Sequence, residues 1–307
     1  MADEKVMDIE ILNREIEMEN ESEDVIKKVA VIGGGVMGQG ISILCASKGL
    51  DVILFEIDDD SCQKSLVEIE KYIDNEIARW TLTPSEKKAI QSRIDVSFED
   101  TDVQYVDIVI EAVNESFDTK SRVLKKADEL CPEKTIFITN TAALSITQLA
   151  AETNRPDKII GMHFLNPVPK IPLVELVRAR KTSDETMVIV KEFAKVLDKT
   201  AVEVYEYPGY VTTRVIIPLI NEAMHIVMEG VATAEGVDTA MRLGYNFPIG
   251  PLALADQIGL DELFSWMEAL FKELGDFKYK PCPLLRKMVR DGKLGRKSGS
   301  GFYKYNV

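Results

Sequence analysis

A histidine and a glutamate twelve positions apart carry the clearest acid–base chemistry in the sequence. His163 ends an apolar run, Glu175 lies within a second one, and three prolines separate them. Proline breaks both strands and helices, so the runs predict two strands joined by a turn centred on Pro169. If these strands pair antiparallel, the imidazole and the carboxylate become cross-strand neighbours with Cβ atoms about 5 Å apart.

Such a pair suits the oxidation of an alcohol by hydride transfer. The carboxylate would accept a hydrogen bond from one imidazole nitrogen, and the other nitrogen could then remove the proton of a hydroxyl. The acid would also stabilise the imidazolium that forms. The alternative is a structural His–Glu pair at a domain junction. The second histidine, His225, lies within a helical pattern and is interpreted as a packing or surface residue.

A glycine-rich segment near the start of the chain predicts a dinucleotide site. An apolar run ends in Gly33-x-Gly35-x-x-Gly38, and Val36 and Met37 open the helical pattern that follows. The first glycine allows a tight turn, the second admits a pyrophosphate, and the third lets helix and strand pack closely. Unpaired N–H groups at the helix start would bind the phosphates. The alternative is a glycine loop without a ligand.

Glu56 indicates which dinucleotide binds. It ends the second apolar run, where a carboxylate accepts hydrogen bonds from ribose hydroxyls and repels a 2′-phosphate. The following residues contain no arginine that could hold that phosphate; they are Ile57, Asp58, Asp59 and Asp60. The pattern therefore favours NAD over NADP, with a solvated acidic turn as the alternative.

These residues require a sheet whose strands end at one edge. From Lys28 onward strand and helix patterns alternate, which predicts a Rossmann-type, doubly wound and mostly parallel α/β sheet. The expected strands are 28–33, 51–56, 106–112, 134–139 and 158–164, followed by extended runs at 172–178 and 200–206. The expected helices are 61–79, 84–93, 117–130, 145–153 and 183–198, the last capped by Ser183 or Asp184.

The composition changes at 207–209, after which strand patterns nearly vanish. We expect a smaller all-helical domain there, with helices at 210–230, 233–243 and 258–274, ended by Gly230, Gly244 and Gly275. The expected organisation is an acidic extension over 1–27, a nucleotide-binding domain over 28–206 and a helical domain over 207–307.

Composition argues against several classes of protein. The 307 residues carry a net charge of −14, which disfavours nucleic acid or an anionic membrane as partner. No apolar stretch is long enough to span a bilayer, and the acidic N-terminus fits neither a signal nor a transit peptide. Four scattered cysteines and two histidines disfavour a metal site and fit a reducing cytoplasm. For the acidic residues 1–24, disorder or loose docking is favoured over a short amphipathic helix.

Motifs spread along the chain together resemble a known family. In order they are G-G-G-V-M-G, N-E-S-F-D-T-K, T-N-T-A-A-L-S-I-T, G-M-H-F-L-N-P-V-P, V-E-L-V, P-G-Y-V-T-T-R, L-G-Y-N-F-P-I-G-P and G-R-K-S-G-S-G-F-Y-K-Y. Residues 28–307 thus resemble the L-3-hydroxyacyl-CoA dehydrogenases of the single-function, 3-hydroxybutyryl-CoA type. The resemblance implies reversible oxidation of a (3S)-3-hydroxyacyl-CoA with NAD, in a homodimer joined through the helical domain.

The resemblance also implies roles for individual residues. His163 would be the general base and Glu175 its orienting partner, with Asn166 close to the reacting carbon. The positions that match cofactor contacts are Glu115, Lys120, Asn140, Asn166 and Lys297. Tyr72 and Arg79 lie where the family helix contacts CoA. The alternative for Lys120 and Lys297 is that they are ordinary surface lysines. The alternative for Tyr72 and Arg79 is that they lie on a solvated helix face.

Two positions depart from the family pattern and put the substrate in doubt. Ala142 stands where the family usually has a serine that bonds the substrate's 3-oxygen, and Thr213 replaces an asparagine near the reacting carbonyl. The loss of one neutral hydrogen bond costs on the order of 1 kcal/mol, so the reaction could survive. A dehydrogenase of a carnitine- or gulonate-like 3-hydroxy acid, or of a cyclic or branched hydroxyacyl-CoA, therefore stays an alternative. A non-catalytic NAD-binding protein is a further one.

Overall fold

The computed structural model describes residues 26–79, 81–142 and 144–305. The expectations for the acidic segment 1–24 lie outside this part of the chain. Within it, no helix is both long enough and apolar enough to cross a membrane.

One eight-stranded sheet organises the N-terminal part of the described chain. Its strands are β1 (Lys28–Ile32), β2 (Asp51–Phe55), β3 (Ile94–Ser97), β4 (Ile108–Glu111), β5 (Ile136–Thr139), β6 (Ile159–Phe164), β7 (Leu173–Arg178) and β8 (Thr200–Tyr205). They lie in the order β3-β2-β1-β4-β5-β6-β7-β8, and every neighbouring pair is parallel except β6 and β7. The strand order reverses at β1, where the carboxyl ends of β1 and β4 leave the crevice in which doubly wound sheets bind ligands.

Helices cover both faces of this sheet because its central strands are apolar on both sides. They are α1 (Val36–Ser47), α2 (Asp59–Ala78), α3 (Pro84–Gln91), α4 (Phe117–Leu130), α5 (Ile146–Ala151) and α6 (Asp184–Val196). On one face α1, α2 and α6 bury Ile41, Ile73 and Phe193. On the other, α4 and α5 bury Leu124 and Leu149. Ser183 caps α6, as predicted.

A helical domain follows, with its own hydrophobic core. Its helices are α7 (Thr212–Met228), α8 (Ala234–Tyr245), α9 (Pro251–Ile258), α10 (Leu260–Leu274) and α11 (Pro283–Arg290). Ile217, Leu252 and Met267 are fully buried within its core. The predicted fold class, a Rossmann-type sheet followed by an all-helical domain, is confirmed.

The sequence pattern missed three elements. Strand β3 has four residues at the edge of the sheet, too few for a clear alternation of apolar and polar positions. Helices α9 and α11 begin with Pro251 and Pro283. Proline is favoured at the first helical position, where its missing N–H has no partner to lose, but a pattern search takes it as a break.

One predicted helix end was wrong. Helix α8 continues through Gly244 to Tyr245, and Asn246 ends it in the left-handed conformation with φ 58°. Gly230 and Gly275 do lie at helix ends, with φ of 73° and 65°. Asparagine is the residue that most often replaces glycine at such a C-terminal position.

Candidate active site

The glycine turn between β1 and α1 has the geometry of a phosphate-binding loop. Gly33 has φ 102°, and its N–H donates to the Phe55 carbonyl at 2.9 Å. A Cβ at Gly38 would lie 1.8 Å from the Gly33 carbonyl oxygen, so the helix packs directly on the turn. A Cβ at Gly35 would meet nothing within 4 Å, and no side chain caps α1. The free N–H groups and open space therefore fit a pyrophosphate.

Glu56 lies beside this turn. Its carboxylate accepts a hydrogen bond from the Ser65 hydroxyl of α2 at 2.5 Å. A Cβ at Gly34 would come within 2.0 Å of the carboxylate and 2.4 Å of the Ser65 hydroxyl, so any larger residue there would displace these two side chains. Gly34 and Ser65 were not singled out from the sequence, because their role depends on how α2 packs against the turn. The acid is thus held where a ribose would follow the pyrophosphate, which fits NAD.

The hairpin formed by β6 and β7 brings His163 and Glu175 together. They are directly paired in the antiparallel register, as the spacing around Pro169 predicted. His163 Nδ1 lies 2.7 Å from Glu175 Oε2, and both side chains are buried. Strand β6 ends on the same side of the sheet as β1 and β4, and the antiparallel β7 begins there, so the pair lies at the end of the sheet that holds the cofactor crevice.

Glu175 also accepts hydrogen bonds from the first residues of the helical domain. Its Oε1 accepts the N–H groups of Val211 at 3.0 Å and Thr212 at 2.8 Å, at the start of α7. Its Oε2 accepts the Thr212 hydroxyl at 2.8 Å, in addition to His163. Burial alone would raise the pKa of Glu175, but hydrogen bonds from His163 and Thr212 outweigh it and the pKa is lowered. The group is therefore a carboxylate at neutral pH.

Thr212 was not identified from the sequence. A threonine at a helix start signals a cap, yet its hydroxyl here reaches an acid 37 positions earlier in the chain.

Tyr210 was not identified from the sequence either. Its ring centroid lies 5.5 Å from that of His163, and its φ of 45° fits the sharp turn between β8 and α7. Burial raises the pKa of Tyr210.

A buried network supports the loops that follow β4 and β5. Lys120 is fully buried on α4, and its Nζ lies 2.8 and 3.0 Å from the two oxygens of Glu111. It also donates to the Asn140 carbonyl at 3.1 Å and lies 3.5 Å from Glu115. Glu115 in turn accepts the N–H of Ala142 at 3.0 Å. Lys120 is thus not a surface lysine.

Asn140 connects this network to the histidine strand. Its side-chain oxygen accepts the N–H of Phe164, next to His163, at 3.2 Å. Its backbone N–H donates to the Glu111 carbonyl at 2.9 Å. The loops that carry Asn140, Glu115 and Ala142 therefore lie at the same end of the sheet as His163 and Glu175.

Asn166 follows β6 and lines a cavity of about 390 Å³ between α1, α2 and the loop after β6. Tyr72, Lys71 and Gln39 line the same cavity. The buried Lys199 fixes the loop by donating to the carbonyls of Val168 at 2.7 Å and Ile171 at 2.6 Å. The cavity is a candidate site for the polar chain of a substrate.

The remaining predicted residues are more widely spread. Arg79 is exposed at the end of α2, with Glu76 at 3.6 Å. Thr213 is buried in the first turn of α7. Lys297 lies in the helical domain, where it pairs with Asp261 at 2.7 Å. No group of acidic, histidine or cysteine side chains suited to a metal occurs among residues 26–79, 81–142 and 144–305.

Comparison with known protein families assigns the chain to a family. The model described as "3-hydroxyacyl-CoA dehydrogenase, NAD binding domain" matches residues 28–207, and that of the C-terminal domain matches 209–305. The chain belongs to the 3-hydroxyacyl-CoA dehydrogenase family. It is therefore an NAD-dependent oxidoreductase, and the family resemblance drawn from the motifs is confirmed.

Individual members of the family support this assignment over most of the chain. The probable 3-hydroxybutyryl-CoA dehydrogenase of Bacillus subtilis is 46% identical over 280 residues, which is 91% of this chain and 98% of that protein. The 3-hydroxybutyryl-CoA dehydrogenase of Clostridioides difficile is 46% identical over 91% of this chain and 99% of its own length. The crystal structure of (S)-3-hydroxybutyryl-CoA dehydrogenase from Ralstonia eutropha superposes with a TM-score of 0.84 at 45% identity, covering 92% of this chain and 100% of that one.

Proposed function

We propose that this chain interconverts a (3S)-3-hydroxyacyl-CoA and the 3-oxoacyl-CoA, with NAD as the hydride acceptor. The observation that carries the proposal is the buried contact of 2.7 Å between His163 Nδ1 and Glu175 Oε2 at the cofactor end of the sheet. The names of the relatives from Bacillus subtilis and Clostridioides difficile point to a short acyl chain.

His163 and Glu175 divide the proton chemistry between them. The carboxylate holds Nδ1 as its protonated nitrogen, so Nε2 is the nitrogen that removes the proton from the 3-hydroxyl group. Bound NAD supplies the ring that receives the hydride from carbon 3. Glu175 keeps its charge throughout and stabilises the imidazolium, as the acid of a catalytic triad does. In the reverse direction the imidazolium returns the proton to the 3-oxygen.

Asn166 would orient substrate and cofactor together from the loop after His163. Glu115, Lys120, Asn140 and Lys297 stay predictions as cofactor contacts. The complete burial of Lys120 supports a role in holding the loops of the site in place, because its ammonium group donates hydrogen bonds to Glu111 and to backbone carbonyls.

The cavity beside Asn166 supports an extended, polar substrate such as a CoA thioester. Tyr72 lines it directly, while Arg79 lies further along the same helix, where a cation could meet a phosphate. Ala142 has a methyl side chain, which cannot donate a hydrogen bond, where the family usually has a serine, and this keeps free 3-hydroxy acids and branched hydroxyacyl-CoAs as alternative substrates. Thr213 could donate one hydrogen bond through its hydroxyl.

We also propose that the protein is a homodimer of the cytoplasm. The helical domain exposes several large apolar side chains, among them Val215, Leu243 and Tyr245 at 66%, 78% and 75%. Exposed groups of this kind mark interaction surfaces when they cluster. The four cysteines are free and buried, which fits a reducing compartment.

The test is His163→Gln, which keeps a polar side chain of similar length but cannot act as a base. We expect turnover of acetoacetyl-CoA with NADH to be lost while NADH binding, measured by calorimetry, is retained. His225→Gln is the matched control and keeps full activity. Turnover in the His163 variant near that of the wild type contradicts the proposal. If the wild type, tested on a panel of substrates, acts only on free 3-hydroxy acids, the alternative substrate class is the correct one.

A further inference from the structure

We propose that Thr212 is a positioning residue that, through Glu175, limits how strongly His163 holds its proton. This role is additional to the proposed function and rests on it, because it assumes that His163 is the base. It also makes the first residue of α7, in the helical domain, part of the acid–base machinery of the sheet domain.

The geometry that carries the inference is the sharing of one carboxylate oxygen. Glu175 Oε2 lies 2.7 Å from His163 Nδ1 and 2.8 Å from the Thr212 hydroxyl. The other oxygen is occupied by two backbone N–H groups at 3.0 and 2.8 Å. All four groups can donate, and a carboxylate can only accept. The Thr212 hydroxyl therefore has to direct its proton at the oxygen that holds the histidine.

The sign of the effect follows from charge. A carboxylate beside an imidazole favours the protonated ring. Each further donor to the same oxygen takes up part of the negative charge that would otherwise stabilise the imidazolium. Without the Thr212 hydroxyl, Oε2 acts on His163 alone, and the ring holds its proton to a higher pH. With it, less of that negative charge is left to stabilise the imidazolium.

The other charged and titratable groups around the pair do not replace this effect. Tyr210 packs against the imidazole from the segment before α7, with ring centroids 5.5 Å apart. Glu115, after β4, and Glu206, after β8, act electrostatically on Tyr210, and so does Glu175. They are unchanged when Thr212 is replaced by a residue of the same shape, so a change in the titration of His163 reports on the hydroxyl.

The decisive variant is Thr212→Val, which keeps the shape and removes the donor. Thr212→Ser keeps the donor, and Thr212→Ala serves if valine disturbs the helix start. The chain has only two histidines, so NMR of histidine-labelled protein gives two titrating signals, and His225→Gln assigns them. We expect the His163 midpoint in the valine variant to rise by about 0.5–1 pH unit, with serine near the wild type and His225 unmoved.

Kinetics provide the second readout. In kcat/KM profiles of the valine variant, the acidic limb of oxidation and the alkaline limb of reduction should move upward together by the same amount. At any single pH the kcat/KM values for oxidation and for reduction should change by the same factor, because the variant does not alter the equilibrium constant of the reaction. A merely structural role would lower the plateaus without moving either midpoint.

An unchanged His163 midpoint in both the valine and alanine variants would overturn the inference. Because the NMR titration needs no substrate, it separates this result from failure of the proposed function. If the midpoint moves but no 3-hydroxyacyl-CoA is turned over by the wild type, the hydrogen-bond coupling stands and the assigned reaction is wrong.

Discussion

Replacing Glu175 with glutamine should damage the chemistry far more than the fold. The carboxylate accepts from four donors, at distances of 2.7 to 3.0 Å. A glutamine amide of the same size keeps one acceptor oxygen, which can retain the two N–H groups at the start of α7. Its NH₂ group then faces His163 and Thr212, where it must donate.

Both neighbours can adapt, but only at the cost of function. The Thr212 hydroxyl can rotate to accept, and His163 can accept at Nδ1 only by moving its proton to Nε2. The nitrogen that faces the substrate is then already protonated and cannot act as a base. In a serine protease the equivalent tautomer change lowers kcat about 10⁴-fold, so we expect a loss of 10³- to 10⁴-fold here. The exchange of charged for neutral hydrogen bonds should lower the free energy of unfolding by only about 1–3 kcal/mol.

The assay is the rate of change of reduced nicotinamide absorbance in both directions, combined with urea unfolding and calorimetric NADH binding. Glu203→Gln is the matched control, because this acid lies on the neighbouring strand and pairs only with Arg178 and Lys191 among the described residues. Activity of the Glu175 variant within tenfold of the wild type, with a folded protein, would falsify the tautomer argument.

Two further outcomes test the cofactor turn and the buried network. Gly38→Ala should lower the free energy of unfolding by about 1–3 kcal/mol, because its Cβ would lie 1.8 Å from the Gly33 carbonyl oxygen. Gly35→Ala, whose Cβ meets nothing within 4 Å, should fold nearly normally yet bind NADH at least about tenfold more weakly in calorimetry, since its methyl group occupies the space left for a pyrophosphate; equal affinity in the two proteins would contradict the assigned loop. Lys120→Met should cost about 3–5 kcal/mol in urea unfolding, because Glu111 loses its buried cation, and adding Glu111→Gln should restore part of that loss. If the single Lys120 variant unfolds like the wild type but binds NADH poorly, the lysine is a direct cofactor contact instead.

The sequence determined the sheet, the glycine-rich turn and the pairing of His163 with Glu175, because each depends on local spacing. Alternating apolar runs place strands to within about two residues, and glycine spacing defines the turn before α1. The pairing of His163 with Glu175 could be predicted because a hairpin fixes its own register once the centre is known. In each case the residues that matter lie within one supersecondary unit.

Only the tertiary structure decided what holds those residues in place. Thr212 meets Glu175 across 37 positions, and Lys120 meets the Asn140 carbonyl across 20, because the strand order sets which loops become neighbours. The tertiary structure also buries Lys120, which the family resemblance gave as a cofactor contact and for which an ordinary surface lysine was the alternative. Local sequence patterns reflect the secondary-structure propensity of a segment and the period of its apolar residues. These contacts depend instead on how separate segments pack, so they could not be predicted from residue spacing.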